Sequence, residues 1–131
     1  MEPCNSSPIR LVVAASPAIR EGIKDLLVGT EFVVVGEAET GHQVVDLAEA
    51  AEPNLVLLSV SLPQMNGLSA LTRIRTLRPN LPVLMLSNYG NALYLSQAEK
   101  LGASGCIIKG CPREKFLETI RGAMERQSRS S

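Results

Sequence analysis

Neither sign of charge prevails in this chain: lysine plus arginine (13) equals aspartate plus glutamate (13) over 131 residues. That balance removes the global field expected of a nucleic-acid or membrane-surface binder. Long apolar runs are also missing. Runs such as residues 55–58 fall far short of the roughly 18 residues that span a bilayer. The polar opening MEPCNSSP has no apolar block of the kind a signal peptide carries, so no membrane contact and a cytoplasmic address are expected. Histidine occurs once, as His42, and the three cysteines Cys4, Cys106 and Cys111 cannot all pair with one another. Together they form no recognisable ligand set, and neither a metal nor a cofactor is expected. Cys106 lies inside an apolar run and is expected to pack as a small hydrophobe. His42 follows Gly41 at a helix start and reads as solvated.

What the chain does contain is alternation. Five short apolar, mostly β-branched runs, IRLVVAA, FVVVGEA, NLVLLS, LPVLMLS and GCIIK, read as buried strands. Between them lie stretches with helical spacing: Ile19, Ile23, Leu26 and Leu27; Val44, Val45 and residues 47–51; Leu68, Leu71, Ile74 and Leu77; Tyr94, Ala98 and Leu101; Phe116, Leu117, Ile120 and Met124. Pro17 suits a first helical turn, and Gly102 suits a helix stop. Strict alternation of apolar strands with helices predicts a doubly wound α/β fold of the flavodoxin-like kind. Its five-stranded parallel sheet has order 2-1-3-4-5, with five helices. Polar ends without apolar period place the domain at residues 8–127, with tails at 1–7 and 128–131.

In such a sheet the functional crevice lies beyond the carboxyl ends of the strands, at the point where the strand order reverses. That rule alone gathers Ala14 and Ala15 after the first strand, Ser59 at the end of the third, Ser87 at the end of the fourth and Lys109 at the end of the fifth. With no carboxylate among these residues, the Lys109 ammonium is expected to turn toward solvent, an anion being the other way to balance its charge.

The stretches SLPQMNGLSALTRIR, VVGEAETGHQVVDLAEAAEPNLVLL and AEKLGASGCIIKG resemble the receiver domains of two-component response regulators. They resemble in particular the branch that precedes a LuxR-type helix-turn-helix domain. The loop at residues 63–67, the run Gly102-Ala103-Ser104-Gly105 and Lys109 carry the resemblance. It implies a phosphorylation switch. An aspartate ending the third strand accepts a phosphoryl group, two acidic residues after the first strand help hold Mg²⁺, and a Ser/Thr and a lysine contact the phosphoryl group. The matching positions here read Ala14 and Ala15 for the acidic pair and Ser59 for the acceptor. Ser87 and Lys109 keep the other two positions, and Cys106 stands where the family has an aromatic switch residue. The sequence therefore reads as an atypical pseudo-receiver without a phosphoacceptor aspartate.

The leading expectation is a non-enzymatic, phosphorylation-independent module for protein interaction or regulation, in two-component-type signalling or transcriptional control. Its partner is a protein, with a homodimer as one form. The resemblance directs attention to the fourth helix, fifth strand and fifth helix, where Leu93, Cys106 and Arg113 offer a candidate face. Leu93 lies off the apolar stripe of its helix and is expected to be exposed. A flavodoxin-like FMN carrier or enzyme is the competing class, but AASPAIREG offers no glycine at the turn where a phosphate cradle belongs. Direct nucleic-acid binding is disfavoured by the charge balance. Membership in a longer DNA-binding transcriptional regulator stays open.

Overall fold

The five apolar runs become β1 (Ile9–Ala14), β2 (Phe32–Ala38), β3 (Leu55–Ser59), β4 (Val83–Ser87) and β5 (Gly105–Ile108). They alternate with α1 (Pro17–Leu27), α2 (Gly41–Ala50), α3 (Gly67–Leu77), α4 (Ala92–Lys100) and α5 (Arg113–Ser130). The computed structural model describes residues 8–60, 62, 65, 67–87 and 92–130. Residues 1–7, with Cys4, lie outside the described residues, as do Pro63, Gln64 and Asn66 of the loop. All strand pairs are parallel and the order is β2-β1-β3-β4-β5, as the alternation predicts. The backbone of α5 continues past Gln127, where the sequence places the end of the domain.

Successive residues of a strand point to opposite sides, so each central strand feeds two apolar layers. On one side Leu11, Val13, Leu57, Leu84 and Leu86 meet Ile23 and Leu27 of α1 and Phe116, Leu117 and Ile120 of α5. On the other side Val12, Val56, Leu58, Val83 and Met85 meet α2, α3 and Ala98 of α4. Helix starts follow local chemistry. Pro17 occupies the first turn of α1, where no amide partner is lost. Thr40 and Gln43 form a reciprocal capping box on α2.

Several burial expectations need correction. β2 is not a fully buried strand: it lies at a sheet edge, and Val33 and Val35 are exposed there. Leu77 ends α3 with an exposed side chain, and Leu101 falls past the end of α4 and is exposed, Leu95 contributing to the core in its place. Cys106 is exposed and does not pack as a small hydrophobe. On the edge strand β5 it pairs with Met85 of β4, beside a groove along α4.

Candidate functional site

At the carboxyl end of the sheet the predicted residues converge. Ala14 closes β1, and the Ala15 amide still reaches across to donate to the Ala38 carbonyl at 3.1 Å. Ser59 and Ser87 end β3 and β4 and are the two buried polar residues of the sheet, at 1% and 0% exposure. Lys109 follows β5, and its amide donates to the Ser87 carbonyl at 2.7 Å. Its ammonium does not turn out to water as expected. Half-buried, Lys109 Nζ donates to Ser59 Oγ at 3.2 Å. That separation sits at the long end of the about 2.7–3.2 Å typical for N–H···O bonds, and the acceptor is neutral. No carboxylate forms an ion pair with Lys109 among the described residues.

The backbone around Ser59 leaves little slack. A Cβ on Gly67 would stand 2.5 Å from the Ser59 carbonyl oxygen and 2.9 Å from the Val60 Cα, so only glycine lets α3 begin this close to the end of β3. Tyr94 of α4 adds a second tie, its hydroxyl donating to the Val60 carbonyl at 3.0 Å. Sequence periodicity assigns Tyr94 to the core; half-buried, it links α4 to the residue that follows Ser59.

The chemistry of this donor set is narrow. Mg²⁺ takes oxygen ligands and is usually held by one or two carboxylates. Ala14 and Ala15 offer methyl groups, Ser59 offers a neutral hydroxyl, and a lysine ammonium stands 3.2 Å from that hydroxyl. Among the described residues no cluster of three or more His, Cys, Asp or Glu could hold a metal ion. The residues present therefore do not fit the divalent cation that the family resemblance implies.

The remaining candidates separate. Leu93 is 76% exposed on α4, and Cys106 is exposed on the neighbouring edge strand. Arg113 does not join them. It belongs to α5, on the opposite side of the sheet from α4, and its guanidinium donates to the carbonyls of Leu26 (3.0 Å) and Val28 (3.1 Å) at the end of α1. His42 is exposed, as expected.

A half-buried cation at the amino end of the sheet escapes the sequence reading. Arg75 donates to the carbonyls of Arg78, Pro79, Leu81 and Gly102 at 2.7–3.3 Å. A Cβ on Gly102 would stand 2.8 Å from Arg75 Nε, and the residue's φ of +104° also favours glycine. Burial pulls the Arg75 guanidinium below its ordinary pKa. On the surface, Arg121 grips Glu31 with two bonds of 2.8 Å, which hold the Glu31 carboxyl down at about 2.

Residues 11–121 match the family model described as the response regulator receiver domain. The chain belongs to that family. Relatives include the nitrate/nitrite response regulator NarL of Escherichia coli K12, 34% identical over 86% of this chain and 53% of NarL. The chemotaxis protein CheY of Bacillus subtilis is 34% identical over 84% of this chain and 92% of CheY. This receiver spans about half the length of the transcriptional regulators it matches and nearly all of CheY. Among solved structures, a CheY-like receiver from Methanospirillum hungatei superposes with a TM-score of 0.86 at 25% identity, covering 95% of this chain and all of that one. The signal receiver domain of a NarL from Mycobacterium tuberculosis gives 0.83 at 27%, covering 92% and 98%. No helix among the described residues is long and apolar enough to cross a membrane.

Proposed function

We propose that this receiver works without aspartyl phosphorylation, as a non-enzymatic module whose state is set by binding. The observation that carries the proposal is the replacement of every matched carboxylate of the crevice: Ala14, Ala15 and Ser59 stand where the family resemblance places two metal-binding acids and the acceptor. Phosphoryl transfer depends on positioning and on neutralising charge on the transferred group, a task shared by metal and cation. Only the cation, Lys109, and the hydroxyl of Ser87 keep their positions. A serine hydroxyl, unlike a carboxylate, must also lose a proton to a base.

Protein contact is then the output. Leu93 and Cys106 supply exposed apolar and thiol surface beside the groove at Met85, Leu95 and Ala98, and Arg113 is withdrawn from this proposed face by its bonds to α1. Because the transcriptional regulators related to this chain are about twice as long as the matched stretch, the second reading places this receiver within a longer DNA-binding regulator. The two readings share the same crevice and are compatible.

The proposal is tested by titrating Mg²⁺ while following thermal unfolding. A ligand that binds the folded state raises the melting temperature by mass action. Mg²⁺ is expected to do no more than sodium chloride of matched ionic strength. A saturable rise specific to Mg²⁺ would overturn the proposal.

A further inference from the structure

We infer that the cavity between α1 and the β5–α5 turn binds a small aliphatic carboxylate, its apolar body between the helices and its anionic head on Lys109. The cavity holds about 350 Å³. That places it at the lower end of the about 300–1,000 Å³ of ligand pockets, which are mostly apolar with a few placed polar groups. Ile19 and Ile23 of α1, Leu86 and Ile107 of the sheet and Phe116 of α5 form apolar walls. Lys109 is the single charged residue in the lining.

Two features make this space more than a gap between helices. The first is Gly22, which lies in mid-helix on the cavity wall, where a Cβ would meet nothing within 4 Å. Glycine inside a helix is disfavoured relative to alanine, and neither a tight contact nor a positive φ requires it at this position. It leaves open space on this stretch of the cavity wall. The second is charge. Among the described residues the Lys109 ammonium has one hydrogen bond, to a neutral hydroxyl at 3.2 Å, and no carboxylate partner. An anion with an apolar body satisfies the ammonium and the walls together, whereas a bare inorganic anion uses only the first. The modest volume suits one short chain.

Such a ligand would touch α1, the end of β5 and α5 at once, so its occupancy is the state this module reports in place of a phosphoryl group. That regulatory half rests on the phosphorylation-independent reading; the binding half does not.

The test titrates octanoate, octanamide and inorganic phosphate into the full chain, followed by calorimetry and thermal unfolding. Octanoate is expected to bind saturably at one site and to raise the melting temperature, with octanamide and phosphate each weaker. Gly22→Leu fills the cavity from an open helix position and gains helix propensity, so it should fold at least as well as the wild type while losing octanoate binding. Lys109→Met should weaken octanoate about tenfold and bring it level with octanamide. Absence of saturable octanoate binding, equal affinity in Gly22→Leu, or phosphate binding as tightly as octanoate would each overturn the inference. Intact mass after treatment with a phosphodonor reads the phosphorylation question separately. Failed octanoate binding with unchanged mass removes this site alone, and a phosphoryl adduct with octanoate binding intact removes the phosphorylation-independent reading alone.

Discussion

Arg75 and Lys109 are half-buried cations at opposite ends of one sheet, and the chain surrounds them differently. Arg75, at the amino ends of β4 and β5, is fixed by four backbone carbonyls. The ammonium of Lys109, at the carboxyl ends, has among the described residues a single long bond, to a serine hydroxyl. Burial alone does not distinguish them; the supply of acceptors does. A cation with a structural task is given its acceptors by the chain, as charge-assisted bonds to carbonyls are worth about 1.5–3 kcal/mol each before shared geometry is discounted. Under the proposed reading Lys109 keeps the position of a phosphoryl-contacting lysine, and the residues matched to the family's carboxylates, Ala14, Ala15 and Ser59, give it no counter-charge.

Removing Arg75 should therefore do the most damage. Arg75→Met is expected to cost ~2–3 kcal/mol in urea unfolding, because the carbonyls of Leu81 and Gly102 lose a donor where α3 meets the starts of β4 and β5. A loss below ~1 kcal/mol would show that water replaces the guanidinium, and the contrast between the two cations would collapse.

The Glu31–Arg121 pair sharpens the comparison from the surface, where both partners are about half exposed. The Glu31 carboxyl is held down from 4.5 to about 2 by the Arg121 guanidinium. A carboxylate with a depressed folded-state pKa stabilises the fold above its unfolded pKa and loses that contribution as pH falls through the folded value. The pair's contribution is thus complete above about 4.5 and fades toward about 2. Solvent screening keeps it small. Acid titration of stability should show this component in the wild type, and Arg121→Met should remove it.

Lys109→Met should have the smallest effect on unfolding, within ~0.5 kcal/mol and of either sign. It gives up one weak bond and relieves a cation that has no counter-charge among the described residues. A loss comparable to that of Arg75→Met would mean that Lys109 is a structural residue after all.

The fold and most of the crevice are legible in the sequence because they depend on local pattern. Apolar runs bounded by Gly, Pro and polar residues name the strands, and their alternation with helices sets the order that brings Ala14, Ala15, Ser59, Ser87 and Lys109 together. Features that depend on position in the assembled sheet are not legible. Cys106 and the valines of β2 read as core, yet they stand on edge strands with one neighbour each. Three acceptors of Arg75 lie within six residues of it, yet its tie to the start of β5 is hidden, since the Gly102 carbonyl is 27 residues away in the chain. The direction of Lys109 depends on the Ser59 hydroxyl across the crevice, 50 residues distant. A capping box, by contrast, is spelled out by Thr40 and Gln43 and was available to sequence reading alone.

The central claim, that the crevice has lost phosphoryl chemistry with its three carboxylates, is tested most directly by intact mass after incubation with acetyl phosphate and Mg²⁺. The wild type should gain nothing, while the variant Ala14→Asp/Ala15→Asp/Ser59→Asp, which restores the matched acids beside Ser87 and Lys109, should gain one phosphoryl group. A phosphoryl group on the wild type, mapped to Ser59, would contradict the account.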